Sequence, residues 1–127
     1  PKGRMEQGVT QLLSDAGIRV KQSSRGYRPT ISLEGFEAKV LKPQNIVEML
    51  SVGSRDIGFA GADWVDELNA EVVELLDTGL DPVRLVVAAP GSLLRDGKLP
   101  PSGPGRPLLI ASEFEHLTTR WIAAQKL

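Results

Sequence analysis

The 127-residue chain has no cysteine, one histidine, few aromatics and no surplus of either charge, and each shortage removes a class of answers. Without cysteine there is no disulfide scaffold, no thiolate zinc site and no cysteine nucleophile, a composition compatible with a reducing cytoplasm. Fifteen Lys and Arg face 16 Asp and Glu, for a formal net charge of −1. That leaves no basic excess to neutralise a nucleic-acid backbone, although a single nucleotide is not excluded. No apolar run approaches the roughly 18 residues needed to cross a bilayer, and no charged-then-apolar leader opens the chain. A soluble protein with no membrane and no nucleic-acid partner is expected. Residue 1 is proline and the last residues fall inside a helical pattern, which suggests a cropped domain or partial reading frame, with methionine removal before proline as the alternative.

What the chain has in quantity is glycine and proline, 13 and 9 residues, and they punctuate an alternation of short apolar runs. Residues 39–68 are the most informative stretch. A short strand at 39–41 leads to Pro43 at a first helical position, and Ile46, Val47, Met49 and Leu50 then share one helix face. Gly53 ends that helix. Ile57 and Phe59 alternate in a strand at 56–60, and Gly61 turns the backbone into a further helix near Ala62 or Asp63. In open parallel sheets ligands sit beyond the carboxyl ends of strands, where helix N-termini offer free N–H groups to anions.

Before this unit, Met5, Val9, Leu12, Leu13 and Ala16 form a helical stripe that Gly17 terminates. Arg19, Lys21, Arg25 and Arg28 lie among Ser23, Ser24, Gly26 and Pro29, a composition suited to a loop or irregular hairpin. Ile31 and Leu33 suggest a short strand before a turn at Glu34-Gly35. After the unit, residues 72–76 read as a strand, 77–82 as a turn, and 83–89 as a strand buried on both faces and interrupted only by Arg84. Residues 92–107 are a Gly/Pro-rich linker or exposed loop. A strand at 108–111, a capping Ser112 and a helix over 114–127 follow, with Leu117, Trp121, Ile122 and Ala124 inward. The expected organisation is an α/β lobe over 1–91, the linker, and a second α/β lobe beginning at 108–127.

The chemistry-bearing candidates each have a plain structural alternative. Lys2, Gly3 and Arg4 before a helix would suit a phosphate, or would be an ordinary basic helix start. Gly61 and Asp63 have a strand before and a helix after them; Asp63 either caps that helix or accepts from a ribose hydroxyl or base amino group. Trp64 reads as core. Arg28 and Lys42 are candidate phosphate contacts or solvated surface. His116 reads as structural, and no metal set assembles around it. The acidic residues show no pairing that compels acid–base catalysis.

These pieces, in this order and spacing, resemble the catalytic subunit of the ATP phosphoribosyltransferase family, the first enzyme of histidine biosynthesis. The resemblance runs through Pro1-Lys2-Gly3-Arg4, Asp15-Ala16-Gly17-Ile18, Asp56-Ile57-Gly58-Phe59-Ala60-Gly61 with Asp63, and Leu76-Asp77-Thr78-Gly79-Leu80. It continues through Arg84-Leu85-Val86-Val87-Ala88-Ala89-Pro90 and Ile110-Ala111-Ser112-Glu113-Phe114, with Leu117, Thr118 and Arg120. It implies a fold like the type II periplasmic binding proteins, with the active site in a cleft between two α/β lobes. The implied reaction joins N1 of ATP to C1 of phosphoribosyl pyrophosphate and releases pyrophosphate, with Mg2+ bound alongside substrate. By motif matching, Lys2, Gly3, Arg4, Gly61 and Asp63 line the ATP side, with Arg28 and Lys42 as further cations, while Ser112, Glu113 and Thr118 enter from the second lobe.

The resemblance also implies a cytoplasmic homo-oligomer and leaves a regulatory subunit open. Its pattern places a strand before Pro1 and the loop for phosphoribosyl pyrophosphate beyond Leu127, so an N-terminal fragment that is inactive alone is expected. Where family members carry an Arg-x-x-Asp-Ile-Pro stretch this chain has Lys42-Pro43-Gln44-Asn45-Ile46-Val47, a divergent branch. The alternative is a periplasmic-binding-like sensor or transport domain for a small anion.

Overall fold

Gly3, at φ +105°, makes the bend that leads the first residues into a helix, a backbone region open to glycine and strained for other residues. Helix α1 spans Met5–Asp15 and ends where the sequence predicts. Gly17 takes φ +81° and donates its N–H to the Ser14 carbonyl, while the Ile18 N–H reaches the Leu13 carbonyl, the paired bonds of a Schellman motif. The computed structural model describes residues 1–22 and 28–125 of the chain. The predicted features at Ser23, Ser24, Arg25 and Gly26, and the last two residues of the C-terminal helix pattern, lie outside the described residues.

Strands β1 (Val20–Lys21) and β2 (Thr30–Ile31) pair antiparallel, with Val20 opposite Ile31 and Lys21 opposite Thr30. A loop or irregular hairpin is expected of the segment, and a strand through Ile31 and Leu33; β2 includes Ile31 but stops short of Leu33. Helix α2 (Pro43–Ser51) starts with proline at its first position and buries Ile46 and Val47, the latter completely, while Met49 and Leu50 are half-buried. It too closes in a Schellman motif: Gly53, at φ +68°, bonds the Leu50 carbonyl, and the Ser54 N–H bonds that of Met49. Helix α3 (Ala62–Glu67) packs against α2 and ends the same way, with Asn69 at φ +45° in place of glycine and the Ala70 N–H on the Val65 carbonyl.

The chain divides into two compact units, Pro1–Val83 and Arg84–Leu127. In the first, Val9, Ile46 and Val47 are among the buried apolar side chains. Glycine supplies the closest approach there. A Cβ at Gly58 would stand 2.5 Å from Ile46 Cγ2 and 3.1 Å from Leu50 Cδ1, so the chain after α2 folds back onto the helix's apolar face only because no side chain intervenes.

In the second unit the Gly/Pro-rich stretch holds a 3-10 turn at Gly91–Leu93 and two tight turns. At the first tight turn Arg95 and Lys98 exchange backbone hydrogen bonds across Asp96 and Gly97, both at positive φ, as in the type I′ turn that Asp-Gly favours. The second joins Gly103 to Arg106. Helix α4 (Glu115–Gln125) follows buried Phe114; Leu117, Trp121 and Ile122 are half-buried, while Ala124, expected inward, is exposed.

Helices and paired strands together give an α/β composition. Five segments expected as strands, 39–41, 56–60, 72–76, 83–89 and 108–111, join no strand ladder among the described residues, although Leu41 accepts one backbone N–H, that of Lys2. The consequence is plainest at 83–89, expected to be buried on both faces: Val83, Leu85, Val86 and Val87 are all more than half exposed. Apolar character marks where a sheet would bury a strand, but the ladder needs a second strand alongside, and parallel neighbours come from distant sequence. Within this chain the described residues provide none for these segments.

Candidate functional site

One backbone bond links the segments that lead into α1 and α2. The Lys2 N–H donates to the Leu41 carbonyl at 2.7 Å, setting the run that opens α1 beside the residue that precedes Lys42. Lys42 is the N-cap of α2, in extended conformation, with no capping bond from its side chain. Arg4 holds the equivalent position at α1, also without a side-chain cap. Helix starts fronted by cations are electrostatically unfavourable, since the dipole end is already positive, and an anion offsets both terms. Of the cations expected here, Lys2 bonds through its backbone to the residue before Lys42, and Arg4 stands at the start of α1.

An open groove of about 910 Å³ runs along α1 from Gly3 and Arg4 past Glu6, Gly8 and Thr10 to Gln22. Its floor is polar. Gln22 Nε2 donates to Glu6 Oε1 at 2.5 Å, and the Thr10 hydroxyl donates to the Glu6 carbonyl at 2.9 Å. The Arg4 guanidinium reaches Asp81, Nη2 to Oδ1, at 2.7 Å. Asp81 belongs to the turn 77–82, which the sequence identifies only as a turn. There Asp77 Oδ1 accepts the Gly79 N–H at 2.8 Å, and Leu80 lies over Gly8, where an added Cβ would meet Leu80 Cδ2 at 3.2 Å. A glycine inside a helix costs about 1 kcal/mol relative to alanine, so Gly8 was the available sign of a close neighbour.

Gly61 and Asp63 form the first turn of α3. Gly61 is the N-cap at φ −74° and ψ 145°, a conformation any residue can take, so glycine is not required here by the turn that the sequence suggested. The nearest neighbour of a Cβ at position 61 is Asp63 Oδ1, the end of a side chain that can rotate away. That oxygen accepts the Trp64 N–H at 3.0 Å, which satisfies one of the open amides of the helix start from within the first turn. Asp63 is half-buried. Trp64, read as core, is half-buried. Arg28 is exposed just before β2.

In the second unit, the Ser112 hydroxyl accepts the Phe114 N–H at 3.0 Å and donates to the Phe114 carbonyl at 3.2 Å, a local turn two residues ahead of α4 in place of the expected helix cap. Glu113 is exposed beside it. Thr118, half-buried in the first turn of α4, donates its N–H to the Phe114 carbonyl at 3.1 Å. Among the described residues no group of three or more His, Asp or Glu gathers to hold a metal ion, and no helix is long and apolar enough to cross a membrane.

The family model for ATP phosphoribosyltransferase matches residues 42–127. Proteins named ATP phosphoribosyltransferase are also similar in sequence. That of Chlorobium phaeobacteroides is 34% identical over 97 residues, covering 72% of this chain and 33% of the relative. That of Chlorobium luteolum is 32% identical over 129 residues, covering 98% of this chain and 42% of the relative. That of Geotalea uraniireducens is 39% identical over 77 residues, 61% of this chain and 26% of the relative. The chain thus spans roughly a quarter to two fifths of the length of these curated relatives. No solved structure matches significantly.

Proposed function

Because the chain belongs to the ATP phosphoribosyltransferase family, we propose that it forms the nucleotide-binding part of an enzyme that transfers phosphoribosyl from phosphoribosyl pyrophosphate to N1 of ATP. In that reaction the adenine N1 lone pair forms a bond to C1 of the ribose as the C1–O bond breaks, and the electron pair leaves with pyrophosphate. No protein nucleophile is needed; the work is alignment of two substrates and stabilisation of a departing anion. The observation that supports this reading best is the backbone bond from Lys2 to Leu41, which links the run before α1 to the residue before Lys42.

On this reading the triphosphate lies along Gly3, Arg4, Lys2 and Lys42, while Gly61 and Asp63 meet the nucleoside, Asp63 through the carboxylate oxygen that its Trp64 contact leaves open. Arg28 is a peripheral cation. Ser112, Glu113 and Thr118 belong to a second lobe that begins after the Gly/Pro-rich stretch, in a fold of the type II periplasmic-binding kind with boundaries near 91 and 107. Magnesium would enter with substrate phosphates, which would supply most of its oxygen ligands. It would neutralise charge on the leaving pyrophosphate. The whole protein would act in the cytoplasm as a homo-oligomer in histidine biosynthesis.

Calorimetric titration of the chain with ATP tests the reading. Binding is expected, with Arg4→Gln and Lys42→Gln each weakening it about tenfold, the scale of one lost charge-assisted hydrogen bond. Absence of ATP binding, or affinity indifferent to both substitutions, would remove the α1–α2 start as the phosphate site.

A further inference from the structure

We propose that Asp81 sets the affinity of this site by competing with ligand phosphate for the Arg4 guanidinium. The inference rests on the reading that Arg4 meets the phosphates of the nucleotide. Three observations carry it. The two partners of the ion pair are unequal: the Asp81 side chain is 24% exposed and that of Arg4 82%, so the carboxylate is the fixed member and the guanidinium the free arm. The turn that holds Asp81 is itself pinned, by the Asp77 carboxylate on the Gly79 N–H and by Leu80 seated over Gly8. Arg4 and Gly8 are four residues apart and so lie on one face of α1. The turn therefore meets the helix at two neighbouring points and brings Asp81 to Arg4.

The contact is a single one, Nη2 to Oδ1, and Arg4 makes no other hydrogen bond among the described residues. An exposed pair of this kind is weak, so a triphosphate displaces it and the displacement lowers the apparent affinity a few-fold. Asp81 thus acts as a resident anion at the α1 start: it neutralises the cation when no ligand is bound and must give way when one arrives.

The test is ATP titration of the full chain at low ionic strength, with Asp81→Asn, Arg4→Gln and the double variant, folding being checked by circular dichroism. Asp81→Asn is expected to tighten ATP about threefold to fivefold, a gain that damage to the fold does not produce, and to lose that gain in the Arg4→Gln background and at high salt. Leu80→Ser, which loosens the turn from α1 and alters neither charge, is expected to tighten binding in the same direction. Unchanged or weaker binding in both Asp81→Asn and Leu80→Ser overturns the proposal, as does a gain that survives Arg4→Gln, which would report general charge repulsion. If instead Arg4→Gln leaves ATP affinity unaltered, the placement of Arg4 fails and this proposal fails with it.

Discussion

At the scale of single residues, two glycines illustrate how the same residue type serves different physical ends. Gly61 is legible as a turn before a helix, yet its backbone angles are ordinary and its near neighbour is the movable Asp63 carboxylate. Gly58 drew attention only as part of a motif, and it is the position where the chain presses closest on α2. Alanine there would put a methyl group against Ile46 Cγ2, which is locked in the core with Val47 and has little room to yield. Overpacking of this kind costs about 1–3 kcal/mol. Gly58→Ala is accordingly expected to lower the urea midpoint of the chain, and to lower it less when introduced into an Ile46→Ala background, where the opposing methyl is gone, than in the parent. A Gly58→Ala midpoint equal to that of the parent protein would show that the segment after α2 does not dock as described.

At the scale of elements, local signals were legible and non-local ones were not. Pro43 opening α2, Gly17 and Gly53 closing α1 and α2, and the apolar face at Ile46 and Val47 all follow from residues within one or two turns of each other. The strands expected at 72–76 and 83–89 had equally clear apolar runs, but a ladder depends on a neighbour that the run cannot specify. The candidate site divides along the same line. Lys2, Gly3 and Arg4 announce a basic helix start, whereas the partner of Arg4 lies 77 residues away and no spacing rule connects them.

The close of α3 was missed for a related reason, since Asn69 replaces the glycine that signals a left-handed C-terminal residue. Asparagine tolerates that conformation and a β-branched residue does not. Asn69→Val is expected to cost about 1–2 kcal/mol and Asn69→Gly to be neutral or stabilising, both read as shifts of the urea midpoint. Equal midpoints for the two variants would mean that the Asn69 N–H and Ala70 N–H bonds do not close the helix.

At the scale of the molecule, the apolar surface is the feature that follows from having strand-like sequence without strand pairing. Leu85, Val86 and Val87 form a consecutive run, 53%, 57% and 60% exposed, and Val73, Leu75 and Leu109 are more exposed still. A run of β-favouring apolar residues with no ladder partner offers both its side chains and its backbone N–H and C=O groups to another chain. Near-neutral net charge provides little long-range repulsion to oppose that approach. Sedimentation velocity of the 127-residue chain is therefore expected to show association that grows with concentration. Val86→Lys, which places a charge at the centre of the run, is expected to shift the distribution towards monomer. The same substitution leaves Val9, Ile46 and Val47 untouched, so the helical signal of the first unit should persist. A parent chain that remains monomeric across the concentration range, or association unaffected by Val86→Lys, would show that the 83–89 run is covered in solution and that its apolar residues have found neighbours within the chain.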